Sequence, residues 1–305
     1  MIAKIKIGHS DVTSTKLGLG TNKVGGHNLF PGLNDDDGYD LVQEALSDGI
    51  SLLDTAYVYG LGKSEEIIGD VLQKNDRQKV IIASKAAQDP KDNLKLNNKP
   101  AFLKQSVDDA LKRLKTDYID IFYIHFPDAQ TDKAEAVAAL ADEKKAGKIR
   151  AVGVSNFSLD QVKEANADGQ VDIVEDNYSL LHRGAEKELL PYLKANGISF
   201  VPYFPLASGL LTGKYTAADA SKFDQFSAEQ FDRIIKALDQ VRQIADKKQA
   251  TVAQVMIAWY MADPDVSVVI PGARKAEQVK SNAAALSIDI SDNEFKTIDQ
   301  LFAGF

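Results

Sequence analysis

A chain of 305 residues, 44% hydrophobic and 26% charged, can build one large barrel domain or two ordinary ones, which excludes a disordered, collagenous or coiled-coil architecture. The formal net charge of −8, without a basic stripe along the chain, lacks the electrostatic footprint of a nucleic-acid binder and points to a small-molecule partner. With no cysteine there is no disulfide, thiolate nucleophile or cysteine metal site, which suits a reducing cytoplasmic compartment; no stretch reaches the roughly 20 apolar residues of a membrane span, and the alternating start MIAKIKIGHSD lacks the apolar core of a secretion signal.

In chain order, short β-branched runs alternate with longer segments of helical period. A hairpin of 4–7 with 12–15 comes first. Strands are expected at 16–20, 51–55, 80–85, 118–125, 150–155, 171–176, 198–204 and 266–271, each bounded by Gly, Pro, Asp or Asn. Helical patterns fall at 38–48, 100–116, 131–146, 159–167, 184–195, 251–262 and 276–286. The clearest is 100–116, where Leu103, Val107, Ala110, Leu111 and Leu114 share one face and Pro100 suits the first turn. Two further helices, 228–247 and 292–301, stand outside the strand–helix repeat. No linker or low-complexity stretch divides the chain, so residues 1–305 are expected to form one domain.

A barrel and an open doubly wound sheet both fit this alternation, and phosphate-binding signatures separate them. Gly18-Leu19-Gly20 runs into Thr21-Asn22-Lys23, with lysine where the third glycine of a dinucleotide fingerprint belongs. Thr212-Gly213-Lys214-Tyr215 lacks the upstream glycine and the hydroxyl residue of a P-loop. The expected fold is a (β/α)8 TIM barrel with an N-terminal β-hairpin and two extra helices.

Chemistry in such a barrel sits at the C-terminal ends of the strands. Three consecutive strands end there in reactive side chains: Asp54 with Tyr59 five residues on, Lys85, and His125. Each has a bland alternative: a turn cap for Asp54, packing for Tyr59 with Tyr57 as competitor, a solvent-reaching strand end for Lys85, a core histidine for His125. Together they suit proton transfer. A phenol titrates near 10, and an adjacent ammonium lowers that value while a carboxylate holds the ammonium in place; histidine adds a donor for a carbonyl oxygen. No carboxylate pair or metal triad is seen.

LLDTAYVYG, ASK, YIHFPD and VGVSNF resemble the aldo-keto reductase superfamily, and the resemblance extends over essentially the whole chain. IPGARKAEQVKSNAAAL and PYFPLASGLLTGKY are similar to segments of the bacterial general-stress and inositol-cluster reductases, neighbours of the potassium-channel β subunits. The resemblance implies Tyr59 as general acid and base, Asp54 and Lys85 as its tuning pair, and His125 as the orienting group. It further implies a nicotinamide cofactor extended across the barrel mouth. Gly20, Thr21 and Asn22 match contacts near the nicotinamide ribose, Ser155 and Asn156 the carboxamide pair, and Tyr203 the stacking ring. Pro205, Leu206, Ser208, Gly209 and Lys214 match the pyrophosphate segment; Gly272 and Arg274, with Lys275 as substitute, face the adenosine phosphate, and Gln278 and Asn282 match adenine contacts. The cations favour NADPH over NADH. Two positions depart from the pattern: Glu175 stands where glutamine is usual, and Phe204 where serine is usual.

The reading is therefore NADPH-dependent reduction of an aldehyde or ketone to an alcohol, reversible, by a monomer or small homo-oligomer with no metal, nucleic-acid or membrane partner. An NADPH-binding regulatory subunit with slow turnover is the alternative from another class, and a hydrolase or aldolase on the same barrel would need a Lys85 Schiff base or a metal site. Specificity is expected in the loops 27–36, 88–99, 127–133 and 217–227.

Overall fold

Strands joined through amphipathic helices can pair only in parallel, each crossover covering the sheet with its helix. The computed structural model describes residues 4–305. Its main sheet takes β3 (Gly18–Gly20), β4 (Leu52–Asp54), β5 (Ile81–Ala86), β8 (Ile119–Ile124), β9 (Ile149–Ser155), β10 (Ile173–Asn177) and β11 (Ser199–Tyr203) in spatial sequence, with every pairing parallel. The eighth expected strand is replaced by a thinner seam. Ser267 N donates to Phe200 O at 2.8 Å on one side; Val269 N donates to Lys16 O at 2.8 Å and Gly18 N to Val269 O at 2.9 Å on the other. Pro271 has no N–H to extend the ladder, so the closure consists of bridges at Leu17–Val269 and Gly20–Gly272. Gly20 permits that approach, since a Cβ there would lie 2.9 Å from Ile270 O.

The hairpin forms as expected, β1 (Lys4–Lys6) antiparallel to β2 (Thr13–Thr15), and a second small hairpin, β6 (Gln88–Asp89) with β7 (Lys95–Leu96), follows β5. Its Ile7 and Val12 pack with Leu52, Ala83, Ile121, Ala151, Ile173, Val201 and Val268 inside the barrel, closing the end where the strands begin. A second, larger apolar layer lies between barrel and helices.

The surrounding helices are α1 (Asp35–Ser47), α2 (Lys63–Leu72), α3 (Pro100–Leu114), α4 (Lys133–Lys145), α5 (Leu159–Ala165), α6 (Leu189–Ala195), α7 (Ala228–Lys247), α8 (Val252–Ala262), α9 (Ala276–Ala283) and α10 (Asp292–Leu301). The two extra helices, α7 and α10, match their expected bounds. The expected helix at 184–195 is divided into a short 3-10 turn and α6, and a 3-10 turn follows α9. Helix α2 is missing from the expected set for three reasons. Its N-cap, Gly62, is left-handed (φ 98°) and offers no capping side chain; Gly69 lies mid-helix; and Glu65, wholly buried, interrupts the apolar face. Among the described residues no helix is long and apolar enough to cross a membrane.

Period-two alternation sorts the strand residues. On β5, Ile81 and Ala83 join the barrel interior while Ile82 and Ala86 face the helices. The interior is apolar low in the barrel and changes character above Tyr123, whose ring fills the space left by the missing side chain of Gly153: a Cβ there would lie 2.3 Å from the ring. Replacement Gly153→Ala should therefore cost about 1–3 kcal/mol by overpacking, read as a lower urea midpoint at unchanged m-value. An unchanged midpoint would show that the Tyr123 ring is free to move.

Candidate active site

Three buried hydroxyls fasten the mouth before any reactive group is considered. Thr21 Oγ1 donates to Asp54 O at 2.8 Å and lies 3.1 Å from Ser64 Oγ, to which Thr55 Oγ1 donates at 2.9 Å. They tie the ends of β3 and β4 to the first turn of α2. Between them the chain folds tightly, with Gly62 N donating to Tyr57 O at 2.6 Å and Ser64 N to Tyr59 O at 3.2 Å. Glu65 accepts from Ser84 at 2.5 Å and from Arg113 at 2.6 Å, and the Arg113 guanidinium lies 5.1 Å from the Tyr57 ring. Tyr57 is thus occupied on the α2–α3 side, which leaves Tyr59 as the phenol at the mouth.

Lys85 has no exposed surface. Its Nζ lies 2.6 Å from both oxygens of Asp54, 3.1 Å from Thr55 O and 3.3 Å from Glu175 Oε2. The ammonium is 5.4 Å from the centre of the Tyr123 ring and 5.7 Å from that of Tyr59. Desolvation disfavours its charge, but the two carboxyls outweigh that and hold the ammonium charged well above the ordinary lysine range. For Tyr59 the expected direction is reversed. Desolvation of its hydroxyl, joined by the negative potential of Asp54 and Glu175, outweighs the pull of Lys85, so the phenol titrates above its ordinary value. The single ammonium serves two carboxyls, and too little of its field is left to lower the phenol.

His125 is nearly buried, edge-on to Tyr59 at 6.1 Å between ring centres and stacked on Phe126 at 4.5 Å. Burial first and Lys85 second push its pKa well below the usual histidine range, so the imidazole is neutral at physiological pH. Asn156, at φ 61°, gives its amide N–H to His125 O and Ser155 Oγ, both at 3.0 Å, and accepts from Tyr203 OH at 2.8 Å. Ser155, Asn156, Tyr203 and His125 thus form one connected wall.

Beyond this wall, Phe204, Ala207, Ser208 and Gly209 all have positive φ, a concentration of backbone strain suited to a binding loop. Tyr260 OH, donating to Pro205 O at 2.8 Å, holds the loop from below. Lys214 reaches back over it, since a Cβ at Gly209 would lie 3.5 Å from Lys214 Nζ. On the opposite rim, Lys23 Nζ and the Arg274 guanidinium approach the Phe30 ring at 5.6 and 5.9 Å. Burial, Arg274 and Lys214 together lower the Lys23 ammonium. Among the described residues none of these three cations has a carboxylate partner, whereas Lys275 is committed to Asp37 at 2.7 Å. Gln278 Oε1 accepts from Arg274 N at 2.7 Å, capping α9, and Asn282 lies half-buried one turn further on.

The structure therefore gathers Asp54, Tyr59, Lys85, His125, Ser155, Asn156, Glu175 and Tyr203 at the inner mouth, with Gly20, Thr21, Asn22, Leu206, Gly272 and Arg274 around them. Asn22 Oδ1, His125 Nδ1 and Glu175 Oε2 are buried without hydrogen-bond partners. Partnerless polar atoms inside and partnerless cations outside fit a ligand with a polar ring at one end and phosphates at the other. Sequence reasoning missed Lys23, whose only visible signal was a lysine in a failed glycine motif, and the contact of Glu175 with Lys85.

A barrel with this cluster at the C-terminal ends of its strands defines an oxidoreductase of the aldo-keto reductase type. The sequence model of the Aldo/keto reductase family matches residues 16–303, and the chain belongs to that family. It is 36% identical to the NADH-specific methylglyoxal reductase of Escherichia coli (strain K12), covering 95% of each chain. It is 32% identical to aldo-keto reductase YhdN of Bacillus subtilis (strain 168), covering 97% of this chain and 92% of that one. The glycerol dehydrogenase AKR11B4 from Gluconobacter oxydans superposes with a TM-score of 0.87 at 31% identity, over 98% of this chain and 95% of the other.

The buried charges make a stability prediction. Lys85→Met leaves Asp54 and Glu175 without their cation and should cost about 3–5 kcal/mol in urea unfolding at neutral pH. Adding Asp54→Asn should recover part of that loss, and strictly additive single effects in the double variant would contradict the pairing.

Proposed function

We propose that residues 1–305 act as one unit that reduces an aldehyde or ketone to an alcohol with NADPH, Tyr59 donating the proton. The observation that carries this reading is the wholly buried Lys85 ammonium, clamped by Asp54 beneath a phenol and a neutral imidazole. The reduced nicotinamide supplies the hydride when bound. Tyr59, protonated far into the alkaline range, delivers a proton to the carbonyl oxygen as the carbonyl carbon accepts the hydride pair, giving the alcohol. Lys85 stabilises the phenolate left behind until solvent returns a proton. His125, neutral, can donate a hydrogen bond that orients the carbonyl oxygen without adding charge. Tyr203 and Asn156 offer a wall for the nicotinamide, and the strained loop 204–209 with Lys214 suits a pyrophosphate.

Lys23, Lys214 and Arg274 support a further phosphate and therefore NADPH. The NADH specificity of the Escherichia coli relative favours the other nucleotide. Titration of the protein with each nucleotide separates these readings. The expected result is NADPH bound about 10–100-fold more tightly than NADH, a preference lost in Arg274→Ala, the size of one or two charge-assisted hydrogen bonds. Equal or tighter NADH binding would overturn the NADPH assignment while leaving the reductase reading intact.

For the chemistry, Tyr59→Phe should lower kcat on a panel of aldehydes, ketones and dicarbonyls by about 10²–10⁴-fold, with nucleotide affinity unchanged. Full turnover in that variant would remove Tyr59 from its role. Tight nucleotide binding with no turnover by the unaltered protein would favour a regulatory subunit.

A further inference from the structure

Glu175 occupies the inner mouth without a conventional partner. It is 3% exposed, its Oε2 accepts no hydrogen bond, and that oxygen lies 3.3 Å from Lys85 Nζ. The three N–H bonds of Lys85 are already directed at the two Asp54 oxygens, both at 2.6 Å, and at Thr55 O at 3.1 Å. A second carboxylate would therefore compete with Asp54 for the same ammonium, in a dry site where one cation already balances Asp54. We propose that Glu175 is a positioning residue that serves as the neutral carboxylic acid, and that its ionisation silences Tyr59 by cancelling the field of Lys85. The proposal rests on the reading of Tyr59 as proton donor.

The titratable groups facing Glu175 come from every neighbouring element: Asp54 on β4, Tyr59 from the turn after it, Lys85 on β5, Tyr123 on β8 and Tyr203 on β11. Its register partner on β9, Ser155, is uncharged. Burial and repulsion by Asp54 raise the Glu175 carboxyl and Lys85 lowers it; the raising influences win, to about 8. Burial raises Asp54 as well and Lys85 lowers it, and its two short contacts to the ammonium make Asp54 the carboxyl that keeps its charge. While Glu175 is neutral, Asp54 balances Lys85 and the cluster carries no net charge to oppose release of the Tyr59 proton. Once Glu175 ionises, the cluster carries a net negative charge beside the phenol, and release of the Tyr59 proton becomes harder. The neutral acid also supplies an O–H donor that a carboxylate lacks.

The test compares the full-length protein with Glu175→Gln, a nearly isosteric neutral side chain, in two measurements. In steady-state reduction between about pH 6 and 10, the unaltered protein should lose kcat through a transition near pH 8, falling towards tenfold for each further unit, and the variant should lack it. In thermal melts without substrate, the sign follows from linkage. A carboxyl raised in the folded state makes the protein lose stability as pH climbs from the ordinary carboxylate range through the folded value, and glutamine does not. The melting temperature of the variant should therefore gain a few degrees on that of the unaltered protein between about pH 5 and 9. A constant difference in melting temperature would overturn the neutral acid. A variable difference with superposable rate profiles would overturn the coupling to Tyr59. Failure of both proteins to turn over any carbonyl would strike the reductase reading, and the melts would still decide the state of Glu175.

Discussion

A fully buried ammonium can persist only where the fold delivers a counter-charge and polar neighbours, and Lys85 is the constraint on which the rest of the mouth depends. Asp54 comes from the adjacent strand, but Glu175 comes from β10, three places along the sheet from β5. In an open sheet those two strands would lie well apart. Closing the sheet turns them towards a common axis and brings Glu175 within 3.3 Å of Lys85. The seam at 266–272 is thus part of the electrostatics, although it contributes little regular pairing.

The interior divides into a lower apolar level and an upper charged one, and Tyr123 forms the boundary. Its ring lies in the gap beside Gly153, 5.4 Å from the ammonium, and stands with the apolar interior between Lys85 and the far end of the barrel. The hairpin seals the other end with Ile7 and Val12. Exclusion of water strengthens every interaction among Asp54, Lys85, Glu175 and Tyr59, and it is also why the phenol moves up in pKa. A single cation shared by two carboxyls cannot overcome that desolvation.

Local information was enough to read much of this. Strand ends at Asp54, Lys85 and His125 follow from short β-branched runs and their breakers, and the five-residue step to Tyr59 is short enough to be confined to one turn. Features that depend on contacts across the barrel were not legible. The commitment of Tyr57 to Arg113 and the burial of Glu65 arise only when α2 and α3 pack together, and the same packing hides α2 from a periodicity argument. The eighth strand reads as β-branched, yet Pro271 and the Ser267 hydroxyl, which accepts from Phe200 N at 3.1 Å, replace regular ladder bonds. The direction of the Tyr59 shift reversed because burial of its hydroxyl in the folded mouth outweighs the field of Lys85, with Asp54 and the sequence-distant Glu175 adding to the rise through space.

The outer rim poses a problem of sign, because a protein of net charge −8 must attract an anionic nucleotide. At physiological salt the field of distant carboxylates is screened within about 8 Å, so a ligand near the mouth senses what is local. There the local charge is Lys23, Lys214 and Arg274, with the aromatic face of Phe30 beneath two of them. Holding three ammonium or guanidinium groups together without carboxylates is unfavourable in itself, and Arg274 and Lys214 add to burial in lowering Lys23. Neutralising this rim with acidic side chains, as Asp37 does for Lys275, would relieve that repulsion and would also occupy the donors a phosphate needs. The cost of leaving the three cations unpaired is thus what keeps the mouth receptive to an anionic ligand, and the overall acidity of the chain keeps that attraction confined to the mouth.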